Sequence, residues 1–227
     1  MDCSKVNRLK EDIVKICQKT DRYPQEISIV AASKYANANQ ILEAADCGIE
    51  IFGENKVQDF RQKQKVVGNK VKWHFIGHLQ TNKVKYVVGK VDLIQSVDTL
   101  KLANSINKRA QKIAIIQPIL LEVNIGDEES KYGFSVNDFS QNITELSYLS
   151  NIKVEGLMAM APYLADVEKT RPYFCNLKKI FDKLKTELKY DNIDLKILSM
   201  GMSNDYKVAI EEGSNMVRIG SAIFRER

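Results

Sequence analysis

A single-domain (β/α)8 barrel of the TIM type, carrying an extra N-terminal helix, is the fold that three features of this 227-residue sequence predict. Eight short, β-branched apolar runs alternate with longer segments whose apolar residues recur every three or four positions. The runs read as nearly continuous apolar stretches, which is what strands covered on both faces require. No linker, low-complexity tract or composition shift divides the chain, so residues 1–227 form one domain. A doubly wound open sheet is the rival architecture.

The eight runs are Ile27 to Ser33, Ile49 to Gly53, Val71 to Gly77, Leu93 to Val97, Pro118 to Ile125, Val154 to Ala161, Leu195 to Met200 and Met216 to Phe224. Before the first, Ser4 can cap a helix whose Val6, Leu9, Ile13 and Ile16 share one face. Almost nothing follows the eighth run, so this N-terminal helix is expected to fill the gap left by a missing last one. Ser135 and Asp138, in a capping-box arrangement, open a second helical pattern through Val136, Phe139, Ile143, Leu146 and Leu149. The densest basic stretch, Leu177 to Lys189, places Leu177, Ile180, Phe181, Leu184 and Leu188 on one face. Its lysines then form a solvated outer face.

Composition narrows the function. With 44% hydrophobic and 28% charged residues the chain is an ordinary globular protein, long enough to bury a core without disulfide or metal. Charges interrupt every apolar stretch well short of the roughly 20 residues a membrane span needs. The N-terminus lacks the apolar core of an export signal, so a cytoplasmic location is expected. Cys3, Cys17, Cys47 and Cys175 form no C-x-x-C pair and are expected as thiols. The net charge of +5 is scattered, so nucleic-acid binding is not indicated. Without an obvious exposed apolar helix, the expected state is a monomer.

In a barrel of this kind chemistry sits where strands end. Those positions are Lys34, Asn55, Gly77 with His78, Ser96 with Asp98, Asn124, Met160 with Ala161, Ser199 to Ser203, and Arg218 to Ser221. Lys34 closes the run IVAAS, and a partly desolvated lysine at a barrel mouth is a better nucleophile of the kind Schiff-base formation uses. The alternative is a lysine that snorkels to solvent. The segment SMGMSND ends a strand at Ser199, Met200 and Gly201 and opens a helix for which Ser203 is the expected cap, an arrangement that suits a phosphate. Gly220 and Ser221 on the last strand would add donors. An ordinary strand-to-helix turn is the competing account. Arg218, within MVRIGSAIF, needs a structural ion-pair partner or a ligand such as a heterocyclic nitrogen.

Other chemistries lack support. His74 and His78 stand on a strand without the H-E-x-x-H pattern, so no metal is expected. No G-x-S-x-G, Walker A or G-x-G-x-x-G pattern occurs. Glu128 and Glu129 lie in a polar loop, where solvated charge explains them.

Taken together, VAASK, FGENKVQ, WHFIGHLQTNK, LLEVNIGDEESKYGF, VEGLMAMAP, LSMGMSND and MVRIGSAIFRER occur in that order from residue 30 to the C-terminus. They resemble the pyridoxal phosphate homeostasis proteins (YggS/PROSC type), which are similar to the N-terminal barrel of alanine racemases. The resemblance implies that Lys34 forms the internal aldimine with pyridoxal 5'-phosphate. It implies that Ser199, Met200, Gly201 and Ser203 hold the phosphate, with Gly220 and Ser221 completing the cradle. Arg218 would face the pyridine nitrogen, and Asn55 would line the other side of the cofactor. Tyr35, Ala36, Asn37 and Ala38 depart from the more usual Thr-Lys-Pro sequence after the lysine.

A guanidinium keeps its proton, so Arg218 would leave the pyridine nitrogen unprotonated and the ring a weak electron sink. The implied function is intracellular buffering and delivery of pyridoxal 5'-phosphate without dedicated turnover, with apo-enzymes that use the cofactor as partners. A slow amino-acid racemase working through the same imine is the alternative, and a passive scaffold with an occupied site is a third.

Overall fold

Eight parallel strands close into a barrel in simple sequential order. They are β1 (Ser28–Ala32), β2 (Ile51–Glu54), β3 (Lys72–Phe75), β4 (Leu93–Val97), β5 (Gln117–Glu122), β6 (Ile152–Met158), β7 (Ile193–Met202) and β8 (Met216–Ile219). The structure is a computed structural model that describes residues 3–126, 132–135 and 139–224. The helices are α1 (Ser4–Lys19), α2 (Ala38–Asp46), α3 (Val57–Val67), α4 (Leu100–Lys112), α5 (Phe139–Ser147), α6 (Arg171–Glu187), α7 (Tyr206–Glu211) and α8 (Ser221–Phe224). The β1–β8 pairing, Val30 against Arg218 and Ala31 against Ile219, closes the ring and rules out the open sheet.

Two apolar clusters follow from the period-two alternation of strands. The larger lies between barrel and helices, where Phe52, Phe60, Trp73, Phe75 and Phe174 are among the most deeply buried side chains. Phe60 of α3 meets Trp73 of β3 edge to face at 5.6 Å. The smaller, in the lumen, is Val30, Ile76, Leu93, Leu120, Met158 and Met216. Two residues beyond Leu93, Leu120 and Met216, the same inward face carries Gln95, Glu122 and Arg218, all buried. The lumen therefore changes from apolar to polar towards the ends of the strands.

The N-terminal helix does fill the vacant place in the outer ring. It buries Val6, Leu9, Ile13 and Ile16 and packs against α7 and α8. Asp12 ties it there, accepting from Tyr206 Oη at 3.0 Å and pairing with Lys207 at 2.8 Å. The Lys207 ammonium holds the Asp12 carboxyl below the usual carboxylate range. Along α6, Leu177, Phe181 and Leu184 are buried and Ile180 partly so, while Lys179, Lys183 and Lys185, with Lys189 just past its end, face solvent.

Several local expectations are corrected. Ser4 is the first residue of α1, and Cys3 occupies the cap position with no side-chain cap bond. The eighth strand stops at Ile219, because Gly220 turns the chain into α8. Between β3 and β4 the connection is a 3-10 turn, Thr81–Tyr86, in place of a full helix. Cys3 and Cys47 form a disulfide with Cα atoms 5.3 Å apart, so they are not thiols. Packing brings the start of α1 against the end of α2, a proximity that a separation of 44 residues conceals. Lys10 reinforces the junction by donating to Gly48 O at 3.2 Å. Cys17 and Cys175 remain free. The capping-box residue Asp138, the apolar Val136 and the acids Glu128 and Glu129 lie outside the described residues.

Candidate functional site

A cavity of about 390 Å³ opens at the C-terminal ends of β1, β6, β7 and β8. Lys34, Ser203, Arg218, Gly220 and Ser221 line it together, although they come from three different strand ends. The β6 connection contributes Ala161, Pro162 and Tyr163 as its far wall.

Lys34 stands two residues beyond β1 and is exposed, with Nζ 5.0 Å from the Tyr35 ring centroid. Of the two readings of this lysine, its exposure is that of a side chain reaching solvent at a strand end. What is fixed is the backbone beneath it. Ser33 Oγ donates to Glu54 Oε1 at 2.6 Å, and Lys63 Nζ donates to Ser33 O at 2.7 Å while also pairing with Glu54. Glu54 is fully buried, and its Oε2 has no partner among the described residues. The unusual stretch after Lys34 has a local reason: Asn37 Oδ1 accepts from Gln40 N at 3.0 Å, and Gln40 Oε1 accepts from Asn37 N at 2.9 Å, a capping box that starts α2.

Arg218 is 5% exposed. Its Nη1 donates to Ser199 O at 2.9 Å and Ser199 Oγ at 2.7 Å, and its Nη2 donates to Ala159 O at 2.9 Å. These are neutral acceptors, so the structural ion pair is not what holds it. Burial pulls its pKa down to about 10, against the opposing pull of Glu122 and Asp205, and it stays charged at neutral pH. Of five N–H donors on a guanidinium, the Nε hydrogen and one Nη2 hydrogen have no acceptor among the described residues.

The β7 turn is built differently from expectation. Asp205, rather than Ser203, holds the cap position of α7, and its Oδ1 accepts from Met202 N at 2.6 Å. Ser203 Oγ instead accepts from Gly220 N at 3.1 Å, joining the β7 and β8 turns. A hydroxyl used as an acceptor still has its own proton to give. Gly201 has φ +93°, and a Cβ there would stand 2.5 Å from Ala209 Cβ, so its glycine serves the packing of α7. Ser199 and Met200 are buried behind the turn, and neither they nor Gly201 or Asn55 line the cavity. Asn55 sits after β2, where its Oδ1 is a buried acceptor with no partner among the described residues. Its carbonyl lies where a Cβ on Gly77 would come within 2.2 Å, so that neighbour must be glycine.

Glu122 escaped sequence reasoning. Burial, and then the Asp98 charge, push its pKa up to about 7, while Arg218 pulls it down. The signal was present in PILLEV, where an acid follows Leu120 at the inward period. The two histidines part company. His78 Nδ1 lies 3.0 Å from Asp98 Oδ2 and its ring stacks on Tyr132 at 4.0 Å, while His74 points into the lumen. No group of three or more His, Cys, Asp or Glu able to hold a metal occurs among the described residues. Among those residues no helix is long and apolar enough to cross a membrane.

Comparison with known proteins identifies the family of the chain. The family described as "Alanine racemase, N-terminal domain" matches residues 5–227. The pyridoxal phosphate homeostasis protein of Aquifex aeolicus is 44% identical over 226 residues, covering 99% of this chain and 98% of that protein. A Bifidobacterium adolescentis protein described as unknown superposes with a TM-score of 0.93 at 31% identity, covering 98% of this chain and 94% of its own. PipY of Synechococcus elongatus, solved with PLP bound, superposes with a TM-score of 0.82 at 29% identity, covering 94% of this chain and 100% of its own. On this full-length match, the chain belongs to the pyridoxal phosphate homeostasis protein family (YggS/PROSC type), within the alanine racemase N-terminal barrels.

Proposed function

We propose that this barrel binds pyridoxal 5'-phosphate, tethers it as an imine on Lys34 and serves its buffering and delivery in the cytoplasm, without dedicated turnover. The observation that carries the reading is a charged, buried Arg218 that spends three donors on neutral oxygens and lines the same cavity as Lys34. The cavity falls within the roughly 300–1,000 Å³ usual for small-molecule sites. The PLP bound to a full-length structural relative adds independent support.

The residues fit the group. Ser203 and Ser221 offer hydroxyls to a phosphate from the β7 and β8 turns. Ser199, Met200 and Gly201 shape this turn from behind, while Asn55 stands outside the cavity lining. Lys34 would hold the cofactor through its amine, whose condensation with the aldehyde would form a C=N bond and release water. Arg218 would offer its spare N–H groups to the ring nitrogen and so keep that nitrogen an acceptor. A ring held unprotonated is a poor electron sink, which suits reversible carriage better than racemisation. The exposed Lys34 lets a monomeric carrier surrender its cargo to apo-enzymes that need it.

The test is a visible-absorbance titration of the purified protein with pyridoxal 5'-phosphate. The imine band should saturate in the wild type and be absent from Lys34→Ala. A band that survives the substitution contradicts the assignment of the tether. Lys34-dependent deuterium exchange at the α-carbon of added amino acids would favour the racemase instead.

A further inference from the structure

Behind Arg218 the lumen holds a second set of polar side chains that the cavity does not use. Ser199 Oγ, which accepts from Arg218, donates to Gln95 Oε1 at 2.7 Å. Gln95 Nε2 lies 2.9 Å from His74 Nδ1 and 3.3 Å from Met216 Sδ. Gln95 and Ser199 are fully buried and His74 is 5% exposed, so no solvent competes for these bonds. The bonds therefore span the lumen, linking β3 and β4 to β7 and β8 on the opposite side of the ring.

The direction of the chain is set from its Arg218 end. A guanidinium can only donate, so Ser199 Oγ must accept there, and its own proton takes Gln95 Oε1 as acceptor. The Gln95 amide then has two protons to place, and His74 Nδ1 and Met216 Sδ receive them. Reversing the amide would strand the serine proton and set an oxygen against the thioether sulfur. His74 Nδ1 is therefore an acceptor and the ring proton sits on Nε2. Burial drives the His74 pKa down to about 3, which agrees with a ring that stays neutral.

We infer that Gln95 and His74 are positioning residues: a neutral, one-directional hydrogen-bond chain through Ser199 holds the Arg218 guanidinium in the orientation that the cavity requires. Neutrality matters as much as order. A carboxylate in place of the amide would partly neutralise Arg218 and blunt the charge it presents to a ligand. The inference rests on the cofactor reading for what Arg218 faces, but the chain itself exists without it.

The chain has its own readout, since His74 and His78 are the two histidines in the sequence. Nitrogen-15 NMR of the wild type should show His74 with unprotonated Nδ1, unchanged on acidification to about pH 5. Gln95→Glu is nearly isosteric and its carboxylate can only accept from His74, so Nδ1 should become protonated. A wild-type Nδ1 that carries the proton overturns the inferred direction. For the positioning role, Gln95→Leu and Gln95→Glu should each weaken pyridoxal 5'-phosphate uptake about tenfold. Gln95→Glu should also add to the pH profile of the imine band a titration that the wild type, with Glu122 and Asp205 as the acids acting on Arg218, lacks. Wild-type affinity in both variants, with a wild-type pH profile for Gln95→Glu, overturns the role while leaving the cofactor reading intact. Failure of the wild type to take up pyridoxal 5'-phosphate, with the NMR signature present, defeats the cofactor reading and with it the role, but not the chain.

Discussion

The apolar sheath around the barrel and the polar upper lumen obey opposite rules. In the sheath, Phe52, Phe60, Trp73 and Phe174 bury large surfaces with few polar demands, and stability follows from volume and contact. In the lumen, His74, Gln95, Glu122, Ser199 and Arg218 are as deeply buried, yet each needs a partner of defined polarity. Stability is thus concentrated outside the strands and ligand chemistry inside their ends. Substitutions should separate the two.

The largest effect is expected from the sheath. Trp73→Ala removes a ring that packs on Phe60 and donates to Gly68 O at 3.1 Å. It should cost about 3–5 kcal/mol in chemical denaturation while leaving affinity for pyridoxal 5'-phosphate within about twofold. Large loss of affinity in a folded variant would erase the distinction between the two regions. The Cys3–Cys47 disulfide, spanning 44 residues on the outside, should contribute about 2–4 kcal/mol. Cys3→Ser should lower stability by that amount under oxidising conditions and by nothing once the wild type is reduced.

In the lumen, Glu122 makes stability depend on pH. Its folded pKa is raised to about 7, so the folded state binds a proton more tightly than the unfolded chain. Stability from this group is full below the unfolded value near 4.5 and is lost as pH rises through about 7. Glu122→Gln should therefore stabilise the ligand-free protein at pH 8 by something on the order of 3 kcal/mol. At pH 4 it should change little. A variant equally stabilised at both pH values would place the effect in packing. The smallest stability effect belongs to Lys34: an exposed side chain whose removal should shift stability by no more than about 0.5 kcal/mol.

The same division explains what the sequence reveals. Helix and strand periods are written by burial in the sheath, so the eight strands, the amphipathic face of α6 and the gap-filling α1 are legible, while their ends shift by a few residues. Lys34, Ser203, Arg218, Gly220 and Ser221 are legible as strand-end residues, and the cavity brings them together. Partnerships are not legible. Nothing in the local pattern says that Ser203 would bond Gly220 rather than cap α7, that Glu54 would anchor the backbone under Lys34, or that Cys3 would meet Cys47. Each depends on the distance between segments far apart in the chain. The exposure of Lys34 is of the same kind, because the turn after β1 decides how far a lysine in the cavity lining reaches into solvent.

The central claim is a covalent bond at one amine. Purified protein loaded with pyridoxal 5'-phosphate, reduced with borohydride and digested, should yield the pyridoxyl group on the peptide containing Lys34, in near-stoichiometric amount and on no other lysine. A reduced adduct spread over surface lysines, or concentrated on a peptide that lacks Lys34, would contradict the account.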